Sequence, residues 1–277
     1  MRGEGIFMRV SQELKSAQGI KAAHDRIDSW WWLVIAVVAL VTSLAVFIPD
    51  PYWRIIRFVS DGLMITIGVT LIAFALTLIF GLFAALGRLS KNAILRSVTT
   101  VYVEVARGVP LLVQLLFWYF AFPSLIQSVG RLIQYRPLER YLANPFAMAI
   151  LGLTFCYAAY LSEVYRAGIQ SIPKGQNEAA RSLGMTHGQA MRYIILPQAV
   201  RVILPPVGNE FISLLKDSSL VSIVAVADMT RRGREFMAAS FLPVQTWIMI
   251  ALLYLVMTLI SARVVAWIER KTGTEAR

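Results

Sequence analysis

One stretch of this chain carries charged side chains inside an otherwise apolar segment. Residues 202–227 are interrupted by Glu210, Lys216 and Asp217. A charge at the centre of a membrane helix costs about 2.5–3.5 kcal/mol on insertion scales, so it normally faces a bundle interior, a pathway or an opposite charge. These groups could hold the ammonium and the carboxylate of a small zwitterion. The alternative interpretation is a structural network centred on Lys216 and Asp217.

The same stretch carries other polar residues at helical spacing. Glu210 and Asp217 are seven residues apart, which is two helical turns, and Asn209 and Ser213 occupy neighbouring positions. One polar stripe along a helix is expected. The candidate pathway residues are this stripe and one acidic residue of an earlier segment: Glu163, Asn209, Glu210, Ser213, Lys216 and Asp217.

Two acid–base pairs lie one helical turn apart elsewhere in the chain. Glu104 precedes Arg107 by three residues, and Glu163 precedes Arg166 by three. This spacing brings side chains to one helix face, so each pair is predicted to form a local ion pair. Contact with a partner subunit is the alternative role.

Enzyme chemistry has little support in this sequence. His24 and His187 are its only histidines, and no Cys or His residues join them at metal-binding spacing. The chain also lacks a GxxxxGK[ST] phosphate loop. We therefore predict no catalytic, cofactor-binding or metal site, and no ATP hydrolysis by this chain itself.

The composition predicts an all-α, integral membrane protein. Of 277 residues, 57% are hydrophobic and 16% are charged, which is far from a soluble average. A bilayer-spanning helix needs about 20 apolar residues. Five runs free of Asp, Glu, Lys and Arg approach or exceed that length: 30–48, 62–87, 108–130, 141–162 and 236–262. With the interrupted stretch at 202–227, six transmembrane helices are predicted.

The distribution of basic residues predicts the orientation. Segments on one side of the six spans hold seventeen Lys and Arg residues, and segments on the other side hold eight. The positive-inside rule then puts both termini in the cytoplasm. The net charge of +11 is dispersed over loops between apolar spans. This pattern favours topology and contact with anionic lipid over nucleic-acid binding.

Residues 171–197 predict a pair of short cytoplasmic helices. Ser171 and Pro173 offer a start to the first helix, and Glu178 in an early turn favours its dipole. Gly184 is suited to a left-handed C-cap.

The second helix has its own signals. Thr186 and Gln189 match a capping box, and Leu196-Pro197 is predicted to end the helix because the residue before proline avoids the α region. The small Ala179 and Ala180 allow another protein to approach closely. An ordinary amphipathic loop is the alternative.

The spacing across this segment resembles the EAA signature of ABC importer permeases. Glu-Ala-Ala is followed by three residues, a glycine, nine residues, an isoleucine, one residue and Leu-Pro. The resemblance implies that the helix pair docks into an ATPase subunit. The coupling residues that it implies are Glu178, Ala179, Ala180, Gly184, Ile194, Leu196 and Pro197.

Three further segments, 102–114, 160–169 and 205–220, resemble signatures of the polar amino-acid subfamily, whose members include histidine, glutamine, glutamate and arginine permeases. The resemblance covers roughly 61–267. Glu210 replaces a frequent Gln and Val109 a frequent Thr, so substrate preference does not carry over directly.

The resemblance implies a five-helix family core with one added N-terminal helix. The expected organisation is a cytoplasmic segment at 1–29, an added helix and outer linker at 30–60, a permease domain at 61–270 containing the coupling segment at 171–197, and a cytoplasmic tail at 271–277.

The implied function is that of the permease subunit of an ATP-driven importer of polar amino acids in the bacterial inner membrane. Expected partners are an ATPase dimer that binds ATP and Mg, a second permease subunit, an extracytoplasmic binding protein and membrane lipid. Two alternatives from other classes are an ion-coupled secondary transporter, which the charges at 202–227 favour, and a membrane-embedded enzyme. The EAA segment disfavours the first alternative, and the missing catalytic constellation disfavours the second.

Overall fold

The computed structural model describes residues 29–272, which form helices joined by short connections. The expected cytoplasmic segment at 1–29 lies almost wholly outside the described residues, as does most of the tail at 271–277. His24 also lies outside them. The prediction of an all-α fold is confirmed for the part of the chain that is described.

The helices follow one another in a simple order. They are α1 Ser29–Phe47, α2 Pro49–Leu89, α3 Ala93–Gly108, α4 Leu111–Leu116, α5 Phe122–Leu132, α6 Arg136–Glu139, α7 Pro145–Gln170, α8 Lys174–Ser182, α9 His187–Ala190, α10 Leu196–Asp217, α11 Met229–Ser240 and α12 Pro243–Lys271. Two π-helical turns, Phe117–Ala121 and Met191–Ile195, join α4 to α5 and α9 to α10, and a 3-10 helix, Ser218–Val224, extends α10.

Four helices are long and apolar enough to cross a membrane. They are α2, the composite helix Leu111–Leu132, α7 and α12, and a shorter apolar helix covers Trp31–Phe47. The stretch predicted as a sixth span, now α10, is not in this set; it carries four charged residues, Arg201, Glu210, Lys216 and Asp217, and two internal prolines, Pro205 and Pro206. The number of six spans therefore stays a prediction.

The link between α1 and the rest of the fold is shorter than expected. Asp50 is non-helical, and helix α2 then continues from the Pro51 region to Leu89. The predicted boundary near Asp61 thus falls inside one long helix, because the polar residues at 50–61 are compatible with helix even though they end the apolar run.

Close helix packing depends on small residues. Helices α2 and α7 run parallel, and a Cβ atom at Gly81 would lie 3.0 Å from the Cβ of Leu161. At Gly208 on α10, an added Cβ would lie 2.2 Å from Cγ1 of Val265 on α12. A central apolar core forms where α2, α4, α7 and α10 meet, with Val69, Leu115, Leu153 and Leu214 fully or almost fully buried.

The helix is interrupted between α3 and α4, and the buried side-chain amide of Gln114 stabilises this interruption. Helix α3 ends at Gly108, and Pro110 caps the start of α4. Gln114 is 6% exposed, and its Nε2 donates hydrogen bonds to the carbonyl oxygens of Ala106 at 2.7 Å and Val109 at 2.8 Å. Pro110 has no N–H to donate to the carbonyl of Ala106 four residues earlier, and Gln114 provides a donor there and to the carbonyl of Val109 at the helix end.

Candidate functional site

A polar cavity of about 470 Å³ lies at the break between α3 and α4. Helices α7 and α10 form its other walls. Its lining residues are Arg107, Gly108, Val109, Pro110, Leu111, Cys156, Tyr157, Tyr160, Glu210, Ser213 and Asp217. The volume falls within the range of about 300–1,000 Å³ that small-molecule sites occupy.

Charges of both signs face this cavity. The hydroxyl of Tyr157 donates a hydrogen bond of 2.7 Å to Oδ2 of Asp217. The guanidinium of Arg107 lies over the ring of Tyr160, with its central carbon 5.3 Å from the ring centroid. Glu210 makes no hydrogen bond and no ion pair within 4.0 Å among residues 29–272, although the charge of Arg107 on the same cavity attracts it at longer range. A free carboxylate, a guanidinium and several hydroxyl groups can together hold a zwitterion and a polar side chain.

The predicted polar stripe divides between two faces of α10. Glu210, Ser213 and Asp217 line the cavity, whereas Asn209 and Lys216 are exposed and do not line it. Since an α-helix turns by about 100° per residue, the three cavity residues span about 60° and the other two lie further round. The structure therefore brings together three of the six candidate pathway residues.

Glu163 lies near the coupling end of α7, where it joins an ion cluster. It pairs with Arg166 on its own helix and with Arg88 at the end of α2. The predicted Glu163–Arg166 pair is confirmed.

The predicted Glu104–Arg107 pair is wrong. A carboxylate oxygen of Glu104 lies 3.9 Å from the guanidinium of Arg88, while Arg107 turns to the ring of Tyr160 in the cavity. Tertiary partners on α2 and α7 thus outcompete the local partner one turn away.

The segment after α7 forms the predicted helix, turn and helix. Gly184 has φ +80°, and the N–H of Met185 donates to the carbonyl of Ala180 at 3.2 Å, as in a Schellman C-cap. Thr186 and Gln189 form a capping box in which each satisfies the other's backbone. Both predicted features are confirmed.

The predicted start of the first helix is confirmed for Pro173, which is the N-cap residue of α8, but not for Ser171, and Glu178 lies later in the helix than expected. Ser171 caps the end of α7, and its hydroxyl donates to the carbonyl of Gly168 at 2.8 Å, so it does not start α8. Glu178 lies in the second turn of α8, since that helix begins only at Lys174.

The second helix does not end at Leu196-Pro197, contrary to the prediction. Ile195 and Leu196 keep α-helical dihedral angles, and the chain runs from α9 through the π turn into α10. Pro197 cannot donate to a preceding carbonyl, and the wider π turn relieves the clash that its ring would cause in a regular helix.

The surface of this segment exposes two large apolar side chains that the sequence interpretation did not single out. Leu183 is 84% exposed and Tyr193 is 61% exposed. Of the predicted coupling residues, Ala180 is buried, Ile194 is half-buried, and Glu178, Ala179, Gly184, Leu196 and Pro197 are exposed. We call the surface of residues 174–195 the knob.

The sequence interpretation also missed three side chains of the cavity: Arg107, Tyr157 and Tyr160. The break at Pro110 was the available signal for Arg107, because a helix interrupted inside an apolar segment often lines a cavity. Within residues 29–272 there is no cluster of three His, Cys, Asp or Glu residues that could hold a metal ion.

Comparison with known proteins decides what this architecture belongs to. The family model described as binding-protein-dependent transport system inner membrane component matches residues 77–274. This chain belongs to that family. Membership makes it an inner-membrane permease, and it implies ATPase and permease partners.

Individual relatives of this permease agree with the family match. The glutamine transport system permease protein GlnP of Escherichia coli (strain K12) is 33% identical over 219 residues, which cover 79% of this chain and 94% of the relative. The arginine transport system permease protein ArgU of Corynebacterium glutamicum is 38% identical over 201 residues, which cover 72% and 63% of the two chains.

A solved structure matches the fold of the permease as well. It is described as an amino acid ABC transporter with histidines, and its matched chain has a TM-score of 0.68 and 40% sequence identity. The match covers 78% of this chain and 94% of the other.

Proposed function

We propose that this permease imports polar amino acids as one half of a dimeric pore driven by ATP. A partner ATPase dimer would bind ATP and Mg, and an extracytoplasmic binding protein would deliver the amino acid. The knob would lie in the cytoplasm together with both termini, as the seventeen-to-eight bias in basic residues favours.

One observation carries this proposal: a continuous helical path joins the knob to the cavity. Helix α10 begins at Leu196, directly after the π turn of the knob, and reaches the cavity at Glu210. Fourteen residues of α-helix span about 21 Å. A displacement of the knob would reach the cavity wall through this helix, which contains Pro205 and Pro206, without crossing a non-helical loop.

This path supports alternating access with the ATPase as the driver. ATP-dependent closure of the ATPase dimer would move the two knobs, and α10 would move with them. The cavity would then open alternately to the binding protein and to the cytoplasm. Such a cycle needs a bundle with two stable states, whose balance the ATPase biases.

The cavity's groups support a basic or neutral polar amino acid as substrate. Glu210 and Asp217 offer two carboxylates to an ammonium or guanidinium group, and Arg107 offers a guanidinium to the substrate carboxylate. A substrate with an acidic side chain would bring a second negative charge into the cavity, and Glu210 and Asp217 would repel it. Relatives whose names specify glutamine and arginine are consistent with this choice.

Reconstitution into liposomes with the ATPase and the binding protein tests the proposal. We expect uptake of radiolabelled arginine or glutamine to require ATP on the side of the liposome membrane where the ATPase lies. This uptake should continue in the presence of ionophores that collapse proton and sodium gradients. Uptake that needs no ATP and stops with the ionophores would instead support an ion-coupled transporter.

A further inference from the structure

A second polar cavity lies at the end of the molecule opposite the knob. It is a wide-open depression of about 550 Å³ between the first turns of α2 and helix α11. Three arginines, one carboxylate and two phenyl rings dominate its lining: Arg54, Arg57, Arg232, Asp61, Phe58 and Phe236. We call it the arginine cavity.

Two of its arginines have unused donor capacity. Arg57 is exposed and makes no side-chain hydrogen bond or ion pair within residues 29–272. Arg232 donates to Asp61 and, at 2.9 Å, to Glu235, but its Nε is buried and has no hydrogen-bond partner among the described residues.

The third arginine has two weak contacts, an exposed ion pair and the ring of Phe236, whose centroid lies 6.0 Å from the central carbon of its guanidinium. Arg54 pairs with Asp50 at 3.0 Å, and the two side chains are 60% and 71% exposed. Exposed pairs of this kind contribute little to stability, so Arg54 can exchange Asp50 for another anion at small cost.

One positive charge of the lining has no counter-charge within ion-pair distance. Arg54 pairs with Asp50, and Arg232 pairs with Asp61 and Glu235, but Arg57 pairs with none of the described residues. A ligand with one negative charge and several acceptor oxygens would give Arg57 a partner and engage the unused donors.

The position of the cavity along α2 matches the depth of lipid headgroups. Arg88 marks the knob end of α2, and 31 residues separate it from Arg57. This length of helix is about 46 Å, close to the ~40–45 Å thickness of a bilayer with its headgroup regions. Trp53 and Phe58 are 54% and 43% exposed at this level, and exposed aromatic rings are typical of membrane interfaces.

We propose that the arginine cavity binds the phosphodiester of an anionic phospholipid. Arg54 and Arg57 donate to the phosphate oxygens. Phe58 is 43% exposed and contacts the apolar part of the lipid below the headgroup, while the ring of Phe236, 5.5 Å away between centroids, is buried and supports Phe58 from the core side. The family match begins at residue 77, so the α2 wall of this cavity lies outside the matched region.

An acidic surface of an extracytoplasmic protein is the competing occupant. The exposed rings of Trp53 and Phe58 beside the arginines favour the lipid, because a phospholipid carries its acyl chains directly next to its anionic headgroup and exposed aromatic rings are typical of membrane interfaces.

Native mass spectrometry of the complete transporter with added dioleoylphosphatidylglycerol tests the proposal. We expect Arg57→Gln to weaken binding of this lipid about fivefold, the effect of one basic residue near a membrane surface. The matched control is Arg136→Gln, an exposed arginine of α6 that does not line the cavity, and it should bind like the wild type.

Four outcomes would overturn the proposal. These are unchanged lipid binding in Arg57→Gln, an equal loss in Arg136→Gln, complete displacement of the lipid by millimolar inorganic phosphate, and weakened docking of the binding protein with unchanged lipid binding. The third would identify free phosphate as the ligand, and the fourth a protein partner.

Discussion

At the scale of single residues, two charged groups of the cavity, those of Asp217 and Arg107, make direct side-chain contacts, whereas the carboxylate of Glu210 makes none. Asp217 accepts a hydrogen bond from Tyr157, and Arg107 stacks on Tyr160. Glu210 lines the same cavity without a hydrogen bond or ion pair in the described part of the chain. An unpaired carboxylate in a partly buried cavity gains most from an incoming cation, so Glu210 is the residue whose charge should matter most for transport.

The charge of Glu210 can be removed with little change of shape. We expect Glu210→Gln to lower kcat/KM for uptake of a cationic amino acid about tenfold, since a hydrogen bond to a charged group contributes about 1.5–3 kcal/mol. ATPase stimulation by the loaded binding protein should survive. Glu269→Gln, which removes a carboxylate that does not line the cavity, serves as the control. If Glu210→Gln takes up cationic, neutral and acidic substrates each as well as the wild type does, the role of Glu210 is structural.

At the scale of secondary-structure elements, the sequence predicted the caps of the two short helices of the knob but not the continuation of the second helix into α10. The Gly184 C-cap and the Thr186–Gln189 capping box were predictable because both depend on residues a few positions apart. The helix across Pro197 was not, because the rule against helix before proline takes no account of a π turn. The far walls of the cavity were also unpredictable, since Tyr157 and Arg107 meet Glu210 only through the packing of three helices.

A buried cap stabilises the element that faces the arginine cavity. Asp228 is fully buried, and its carboxylate accepts hydrogen bonds from the N–H groups of Thr230 and Arg231 at 3.1 Å and 3.0 Å. We expect Asp228→Ala to destabilise the protein by about 1–2 kcal/mol, because the first turn of α11 loses its cap. The apparent melting temperature in detergent would reveal this loss.

Asp228→Asn is the matched variant for this cap. Asparagine is about as good an N-cap as aspartate, and burial raises the pKa of Asp228, so a neutral side chain suits this site. Its melting temperature should stay near that of the wild type. If Asp228→Asn melts as early as Asp228→Ala, the carboxylate charge matters more than the cap.

At the scale of the whole molecule, the parallel helices α2 and α7 define two ends. Both helices finish at the end that carries the knob, where Arg88 meets Glu163, and both begin at the end that carries residues 133–144 and the arginine cavity. The polarity of the transporter therefore depends on which end faces the cytoplasm.

Single cysteines in a Cys156→Ala background test that polarity. We expect Leu142→Cys, at a position that is 86% exposed, to react with a membrane-impermeant maleimide on intact cells. Ser182→Cys, an almost isosteric change on the exposed side of α8, should react only after the membrane is opened. Labelling in the reverse pattern would contradict the proposed orientation of both termini.

The central claim is that the knob drives the cavity, and Gly184 gives the most direct access to it. A Cβ at Gly184 would meet no atom within 4 Å, so only its φ of +80° opposes substitution. Valine there is strained by at least about 1–2 kcal/mol and should distort the turn without disturbing the spans. Gly188→Ala is the control, because Gly188 lies in α9 with equally open space. The measurement is binding-protein-stimulated ATP hydrolysis together with amino-acid uptake by the reconstituted transporter. We predict that Gly184→Val loses both activities while inserting into the membrane normally, and that Gly188→Ala keeps both; wild-type ATP hydrolysis and uptake in Gly184→Val would contradict the claim.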